Sequence, residues 1–274
     1  MVVESAVDLN LSETHFREIK SLLYRMAGIQ LHDKKDLVKT RLMKRMKTLG
    51  MRNFSDYMEY LKRDSSRREL AAMVDVLTTN KTSFFREPKH FEFLRRSILP
   101  ELKDIRRIRI WSAGCSSGEE PFSIAITLRE SISDISRWDI KILATDISAR
   151  MLAIAREAKY DSSKLEGVPS QILNRYFTRI KSGSSEIYRV NDDVRSMVQF
   201  ARLNLMSRWP MKGPFDLIFC RNVMIYFDNP TRERLIHRFW ELLKPGGYLF
   251  VGHSESLAPL EHRFQYIQPA IYRK

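Results

Sequence analysis

The stretch RIRIWSAGCSSGEEPFSIAITLRE, residues 107–130, decides the fold. Its first residues form an apolar run rich in β-branched and aromatic side chains, which predicts a buried strand. Gly114 and Gly118 then allow the backbone to turn sharply and to approach a ligand closely. The following EEPFSIAITLRE is typical of a helix. A strand, a glycine turn and a helix begin a parallel α/β sheet, and the turn is where a nucleotide-like cofactor would bind.

The rest of the chain after this stretch continues the same alternation. Further strand-like runs are IKILATD (140–146), MVQFARL (197–203), FDLIFCR (215–221) and YLFVG (248–252). Helical segments cover residues 148–160 and 231–243, so this part is predicted to be a doubly wound, Rossmann-like α/β domain. Residues 160–200 interrupt the rhythm, because EIYRV (186–190) and MVQFARL resemble strands set among polar segments. We expect a small antiparallel β-subdomain at about residues 170–200.

The chain before this domain has a different pattern. From Ser12 to about Phe85 the apolar residues recur at helical spacing, without sustained strand alternation. This pattern predicts an all-helical N-terminal domain. We therefore expect residues 1–85 to form a helical domain with its linker and residues 86–274 to form the α/β domain.

Composition narrows the class of protein. The chain has 274 residues, of which 43% are hydrophobic and 29% charged, which is the profile of a folded, soluble protein. Its apolar runs are too short to cross a bilayer, and residues 1–13 do not have the pattern of an export signal, so we expect a cytoplasmic protein without membrane insertion. The two cysteines are far apart and the six histidines lack ligand spacing, so no metal is expected. A net charge of +14 suggests an acidic partner.

Much of this positive charge lies in one segment of the helical domain. Residues 34–52 contain eight Lys or Arg residues and one acid. The apolar side of the predicted helix carries Val38, Leu42, Met46 and Leu49. The other side carries four cations, Lys34, Arg41, Lys44 and Arg45. This face is either a solvated charged surface or a docking surface for an acidic helix.

Two glutamates follow the glycine turn and decide between classes of cofactor. Glu119 and Glu120 place negative charge at the start of the helix, where they would repel a pyrophosphate. A cofactor with positive charge and no phosphate, such as S-adenosylmethionine, is better suited to adjacent carboxylates. The turn therefore favours methyl transfer over hydride transfer. The alternative is that these carboxylates only stabilise the helix dipole.

Polar residues at the ends of the later strands complete a candidate site, because ligands of such sheets bind at the carboxyl edge. Asp146 is placed to accept both ribose hydroxyls, although it or Ser148 could instead cap the next helix. Asn204 could recognise the adenine edge or could simply be a turn residue. The run FDLIFCRNVMIYFD ends its strand with three polar residues at the same edge, which are Arg221, Asn222 and Tyr226.

The segment TTNKTSFFRE before the α/β domain is also unusual for a connector. Asn80, Thr82 and Arg86 lie among aromatic residues, which is more typical of a ligand wall. A guanidinium can hold a substrate carboxylate bidentately while leaving it ionised, and Arg86 or Arg221 could do this. For Arg86, a surface ion pair is the alternative.

Five segments, taken in order, resemble those of the chemotaxis receptor methyltransferases, the CheR family: LTTNKTSFFRE, WSAGCSSGEEPFSIA, ATDIS, FDLIFCRNVMIYFD and LKPGGYLFVGHSE. The resemblance extends from about Phe16 to the C-terminus. It implies methyl transfer from S-adenosylmethionine to glutamate side chains of methyl-accepting chemotaxis receptors, with S-adenosylhomocysteine as the product. It also implies cofactor contacts at Asn80, Thr82, Arg86, Glu120, Asp146, Asn204, Leu205, Arg221 and Asn222.

The resemblance further implies that Tyr226 lies near the methyl-transfer position, and that the basic face at residues 34–45 touches the methylated helices of the receptor. Some family members bind a receptor pentapeptide through a turn with paired glycines, but RIKSGSSEIYRV (179–190) contains only Gly183. A regulatory adaptor is a further candidate partner, and we expect a monomer. The alternatives are an RNA methyltransferase and a noncatalytic receptor-docking module that binds the cofactor. No nucleic acid is expected, because an amine-methylating motif such as N-P-P-Y is absent.

Overall fold

The computed structural model describes residues 10–182 and 185–274, and only the backbone of Lys181, Ser182 and Ser185. The expectations about an export signal at the N-terminus and about a glycine-poor turn at Gly183 fall on residues 1–9 and 183–184, which lie outside the described residues. Contacts between residues divide the chain into two compact units. The first is Met1–Thr79 with Tyr226–Asp228, and the second is Asn80–Ile225 with Asn229–Lys274.

The first unit is helical, as the spacing of its apolar residues predicts. Its helices are α1 (Glu13–Ala27), α2 (Lys35–Thr48), α3 (Phe54–Arg63) and α4 (Arg68–Leu77). The side chains of Ser12 and Asn53 accept hydrogen bonds from backbone N–H groups in the first turns of α1 and α3, and so cap these helices. Leu23, Leu42, Tyr57 and Met73 are fully buried, so each of the four helices has a buried apolar face.

The second unit is built on a seven-stranded sheet and a three-stranded sheet. The strands are β1 (Arg107–Ala113), β2 (Asp139–Asp146), β3 (Lys159–Asp161), β4 (Phe177–Ser182), β5 (Ser185–Val190), β6 (Val198–Arg202), β7 (Phe215–Cys220), β8 (Leu243–Val251), β9 (Gln265–Gln268) and β10 (Ile271–Arg273). The larger sheet has the order β6-β2-β1-β7-β8-β10-β9. Its first five strands are parallel, and β10 is antiparallel to both of its neighbours.

The second unit also contains helices, of which the first two precede β1 and the others lie between strands. They are α5 (Lys89–Phe93), α6 (Leu99–Leu102), α7 (Glu119–Ser131), α8 (Ala149–Glu157), α9 (Ser170–Tyr176), α10 (Asp192–Arg195) and α11 (Asn229–Leu242), and one π-helical turn, Leu94–Ile98, joins α5 to α6. Phe122 on α7 and Phe219 on β7 are both fully buried, because parallel strands with crossover helices are covered on both faces. In the described part of the chain, no helix combines the length and apolar character needed to cross a bilayer.

The predicted fold class is confirmed, including the helical N-terminal part and a small antiparallel sheet of order β3-β5-β4. Two local expectations are wrong. The predicted helix 148–160 ends at Glu157, because Ala158 adopts a left-handed conformation with φ of 54° and the chain continues as β3. The run 197–203 does not belong to the antiparallel insertion. It forms β6, which pairs in parallel with β2, and its Phe200 packs against Phe122 with 5.6 Å between ring centroids.

Candidate cofactor site

The candidate site lies at the carboxyl ends of the parallel strands in the second unit. Strands β6, β2, β1 and β7 are consecutive and parallel in the larger sheet, so their carboxyl ends and the segments that follow them lie at the same edge. These segments carry Gly114, Asp146, Asn204 and Arg221 in turn. The Leu203 N–H donates to the Asp146 carbonyl at 3.0 Å, which joins the ends of β6 and β2.

The glycine turn after β1 is closed onto β2 and leaves no room for a side chain. The N–H groups of Gly114 and Cys115 both donate to the Thr145 carbonyl, at 2.8 and 2.9 Å. Gly114 has a φ of 88°, and a Cβ at this position would lie 2.5 Å from Cγ2 of Val223. The turn therefore requires glycine both for its conformation and for its close approach to the segment that follows β7.

Asp146 holds this turn through its carboxylate. Oδ2 accepts from the Ser116 N–H at 2.7 Å, and Oδ1 accepts from the Ser148 N–H at 2.9 Å. The cap of α8 is Ser148, whose Oγ accepts from the Met151 N–H at 3.1 Å, so the capping role falls to Ser148 rather than to Asp146. The Ser116 hydroxyl donates to the Asn80 carbonyl at 2.9 Å. Asn80, the glycine turn and Asp146 are thus brought together.

The two glutamates at the start of α7 face different neighbours. Glu120 accepts from the Ser112 hydroxyl at 2.7 Å and from Arg221 Nη1 at 3.1 Å. Glu119 accepts from the Ser117 hydroxyl at 2.6 Å and lies 3.7 Å from Lys164 Nζ. The adjacent carboxylates therefore do not act as a pair, contrary to the expectation from their sequence positions. Burial raises the pKa of Glu120, and Arg221 and Ser112 offset this effect only in part.

Arg221 is buried among carboxylates, and its side chain is only 2% exposed. Its Nε and Nη2 lie 3.3 and 3.0 Å from Oε2 of Glu87, and Nη1 contacts Glu120. Nη2 also donates to the Arg86 carbonyl. Each guanidinium nitrogen thus already donates to an acceptor of the protein. The predicted residues Arg86, Glu120 and Arg221 are joined in one network.

Glu87 is the residue of this network that the sequence analysis missed. Oε1 accepts from the Asn222 side-chain amide at 3.3 Å and from the His253 N–H at 3.2 Å. Burial raises the pKa of Glu87, but Arg221 and these hydrogen bonds outweigh it, so the pKa lies below its ordinary value. The available signal was its position directly after Arg86. Its partner Arg221 lies 134 residues later, which sequence spacing does not reveal.

Glu87 also belongs to a group of possible metal ligands with His90 and His253, whose ligand atoms lie within 4.8 Å of one another. His90 is fully buried, and neither ring nitrogen has a hydrogen-bond partner among the described residues. Burial, together with the nearby Arg221, lowers the pKa of His90 to about 3, so its ring is neutral. Because both Glu87 oxygens already accept hydrogen bonds, we interpret the group as part of the Arg221 network. The absence of a metal stays a prediction.

The remaining predicted cofactor residues have local roles. Asn204 accepts from the Met206 N–H at 2.9 Å through its side-chain oxygen, which is the turn contact considered above as the alternative. The Leu205 carbonyl accepts from Arg238 and Trp209, at 2.6 and 3.2 Å. These contacts hold the turn after β6 in place.

Three further predicted residues of the site are partly exposed: Thr82, Arg86 and Tyr226. Arg86 donates through Nη1 to the Lys81 carbonyl at 3.0 Å. Within residues 10–182 and 185–274 it forms no ion pair, so the alternative of a surface ion pair does not describe it. By its contacts Tyr226 belongs to the helical unit, whereas Ile225, the residue before it in the chain, belongs to the second unit.

The predicted docking face on α2 contains two kinds of cation. Arg45 forms two hydrogen bonds to Glu69, at 3.1 and 2.6 Å, and Arg41 donates to the carbonyls of Leu77 and Thr78, at 2.8 and 2.9 Å. These two arginines therefore connect α2 to α4. In contrast, Lys34 and Lys44 are exposed.

Comparison with known proteins identifies the family. The family described as CheR methyltransferase, SAM binding domain, matches residues 80–272, and the one described as CheR methyltransferase, all-alpha domain, matches residues 14–78. The chain belongs to the CheR methyltransferase family. This membership confirms the resemblance and the prediction of S-adenosylmethionine as the cofactor, and it makes the chain a methyltransferase of chemotaxis. The readings as an RNA methyltransferase or a noncatalytic module are not favoured.

Relatives from the CheR methyltransferase family match this chain over nearly its whole length. The chemotaxis protein methyltransferase of Salmonella typhimurium is 42% identical over 96% of this chain and 91% of its own length. That of Escherichia coli is 41% identical, with 99% and 94% covered. That of Borreliella burgdorferi is 39% identical, with 98% and 96% covered.

The residues of the CheR site fit a cationic cofactor. With all three carboxyl groups ionised, Glu87, Glu120 and Asp146 carry three negative charges, and Arg86 and Arg221 carry two positive charges, which leaves a formal charge of −1 at the sheet edge. S-adenosylmethionine carries an amino group and a sulfonium, and both are attracted to such an edge.

Proposed function

We propose that the chain transfers a methyl group from S-adenosylmethionine to glutamate side-chain carboxylates of methyl-accepting chemotaxis receptors, which gives glutamate methyl esters and S-adenosylhomocysteine. The observation that carries this proposal is the contrast between two arginines. Arg221 is paired with Glu87 and Glu120, whereas Arg86, whose carbonyl accepts from Arg221, has no carboxylate partner in the described residues. A guanidinium without a carboxylate beside a cofactor site is suited to hold an acidic substrate.

The acceptor needs orientation more than activation. A glutamate side chain has an ordinary pKa of about 4.3, so it is ionised at neutral pH and requires no general base. S-adenosylmethionine, when bound, supplies an electrophilic methyl group on its sulfonium. Arg86 would hold the acceptor carboxylate by its N–H groups so that one carboxylate oxygen keeps a lone pair available to accept the methyl group.

Tyr226 would contribute at the same step by its position in the chain. It follows the turn that starts with Arg221 and Asn222, and it resembles the family residue near the methyl-transfer position. We assign it to positioning the reacting groups and excluding water from them, because both reactants lose charge during transfer and are better solvated before it than after it.

Receptor docking is assigned to two exposed cations, Lys44 on α2 and Lys34, which directly precedes α2. Lys34 and Lys44 have no carboxylate partner in the part of the chain that the structure describes, and the chain has a net charge of +14. Such a face would attract an acidic helix and would raise the rate of association. Arg41 and Arg45 would contribute through the same field while they hold α2 to α4. We keep a cytoplasmic monomer as the proposed working state.

A labelling experiment tests the proposed substrate. The purified protein is incubated with methyl-labelled S-adenosylmethionine and membranes enriched in chemotaxis receptors, and the labelled receptor is then treated with mild base. A methyl ester releases its label as methanol, whereas methyl groups on nitrogen or carbon remain. Base-labile label on receptor glutamates supports the proposal, and base-stable label contradicts it.

A further inference from the structure

The turn between β7 and Tyr226 is held by one buried carboxylate. Asn222, the second residue of this turn, has a left-handed conformation with φ of 59°. The Glu255 carboxylate accepts from the N–H groups of Asn222 at 2.7 Å, Ile225 at 3.1 Å and Gly252 at 2.5 Å. Three backbone donors from two segments therefore converge on one side chain.

Glu255 is an unusual choice for such a contact. It is 2% exposed, and among the described residues it has no Lys or Arg partner, so its charge is balanced by peptide dipoles alone. Burial raises the pKa of Glu255, and the backbone N–H groups of Gly252, Asn222, Ile225 and Met224 offset this only in part. A buried carboxylate without a cation is costly, and apolar packing would hold an ordinary turn at lower cost.

The segment opposite the turn is adapted to the same contact. A Cβ at Gly252 would lie 2.8 Å from Oε2 of Glu255 and 2.9 Å from the Asn222 nitrogen, and still closer to the Asn222 side-chain amide. Gly252 is not in the left-handed region, so the reason for glycine here is space. The end of β8 therefore approaches the turn as closely as the backbone allows.

We infer that Glu255 is a positioning residue for methyl transfer: it fixes the turn of residues 222–225, which presents Asn222 and leads directly into Tyr226. Glu255 acts through these two residues and does not touch the methyl donor. The inference rests on the proposed roles of Asn222 and Tyr226. The turn is also held by the Asn222 side chain, which donates to Glu87, and by the buried Met224, whereas Ile225 is 47% exposed.

A matched control separates positioning from general stability. Asp216 is also a buried carboxylate, 6% exposed, at the other end of β7. It accepts from the Arg109 N–H at 2.6 Å and pairs with Lys244 at 2.5 Å. Asp216→Asn should therefore affect folding much as Glu255→Gln does, but at a distance from the site.

The decisive measurement is turnover per folded site. Total methyl transfer from labelled S-adenosylmethionine to receptor membranes gives kcat, and calorimetric titration with S-adenosylhomocysteine gives the number of binding sites. Glu255→Gln should lower kcat per site by about 10- to 100-fold, as expected for a misplacement on the order of 1 Å. Asp216→Asn should remain within about twofold of the wild type, because a purely structural loss lowers the number of sites and not their kcat.

A second variant tests the same contact independently. Gly252→Ala inserts a methyl group against Asn222 and Glu255 and should lower kcat per site as well. In the double variant Glu255→Gln/Gly252→Ala, the fold-loss of kcat per site should be clearly smaller than the product of the two single fold-losses. The reason is that both substitutions disturb one hydrogen-bonded contact. A product of independent effects would contradict the inference.

Hydrogen exchange provides a readout that needs no methyl acceptor. Glu255→Gln should speed exchange at the amides of Asn222, Ile225 and Gly252, whereas Asp216→Asn should not. Unchanged exchange, unchanged kcat per site in Glu255→Gln, or an equal loss of kcat in Asp216→Asn would each overturn the inference. Base-stable label in the wild type would refute the proposed ester chemistry only, since kcat is measured here from total label.

Discussion

Arg221 and Glu87, which are 134 residues apart in the sequence, form a buried ion pair with 3.0 Å between Nη2 and Oε2. The pair joins the segment before β1 to the end of β7. Because Arg221 also contacts Glu120 at 3.1 Å, one guanidinium links three separate parts of the second unit. Both the stability of this unit and the shape of the cofactor site depend on this cluster.

Removing the charge of Glu87 should destabilise the protein. Glu87→Gln leaves Arg221 buried with Glu120 as its remaining carboxylate partner, and the loss of the charged hydrogen bonds to Glu87 should cost about 1.5–3 kcal/mol. Denaturant unfolding would measure this change in the free energy of unfolding. The control is Glu92→Gln, which breaks the exposed pair of Glu92 with Arg96 and should cost no more than about 0.5 kcal/mol. Equal losses in the two variants would contradict the assigned role of Glu87.

Arg86→Ala should affect the reaction more than it affects cofactor binding. Without the guanidinium the acceptor carboxylate is no longer oriented, and we expect kcat to fall about 100-fold while cofactor affinity changes by less than about tenfold. Radiolabel transfer and calorimetry give the two quantities. Arg95→Ala serves as the control, because Arg95 is an exposed arginine nearby in the chain. Unchanged turnover in Arg86→Ala would remove Arg86 from the mechanism.

Asp146→Asn should act on the cofactor instead. The carboxylate accepts two backbone N–H groups that hold the glycine turn and the start of α8. Hydrogen bonds to charged groups contribute about 1.5–3 kcal/mol, so the Kd for S-adenosylhomocysteine should rise by roughly 10- to 100-fold. Asp139→Asn, at the other end of β2 and paired there with Arg109, should leave this Kd unchanged. A similar rise in both variants would indicate a general loss of the sheet.

The pH dependence of cofactor binding should reflect the ionisation of the Glu120 carboxyl group. Burial raises its pKa above the ordinary value of 4.5, so the free protein holds this proton at a pH where an exposed glutamate has lost it. A bound cation favours the ionised form, so binding should release a proton in the window just above pH 4.5, and affinity should rise with pH there. Calorimetry in buffers with different ionisation enthalpies counts this proton. Glu120→Gln should abolish the release, and a release that persists would assign it to another group.

The same shift has a consequence for folding. A carboxyl group whose pKa is raised in the folded state favours folding when it is protonated. Its contribution is therefore fully present below pH 4.5 and is lost as the pH rises through the raised pKa. Glu87 has the opposite shift, so its contribution is present above pH 4.5 and is lost as the pH falls.

The sequence predicts the architecture because each element carries its own signal. The apolar strands β1, β2 and β7 are bounded by polar residues, and glycine at position 114 marks the turn. The order of the elements then implies that Asp146 and Arg221 share one edge. What the sequence does not contain is the pairing of distant charges. Glu87 and Glu255 acquire their roles from partners on other segments, and no spacing rule links Glu255 to Ile225.

The basic face of α2 illustrates the same limit. Helical periodicity correctly separates its cations from Val38 and Leu42, but it does not distinguish a solvated lysine from an arginine that contacts α4. Arg41 donates to the end of α4 and Arg45 pairs with the buried Glu69. Which cations remain available to a partner could be learned only from the packing of the unit.

Reversing the charge of the exposed lysines should weaken receptor docking without affecting the chemistry. In the double variant Lys34→Glu/Lys44→Glu, the KM for receptor membranes should rise by roughly tenfold and its salt dependence should weaken, because attraction between exposed charges is screened by salt. The Kd for S-adenosylhomocysteine and the unfolding midpoint should remain near the wild-type values. Lys103→Glu/Lys141→Glu changes the net charge equally at two exposed lysines of the second unit. An equal rise in KM in this control would mean that overall charge, and not the face of α2, attracts the receptor.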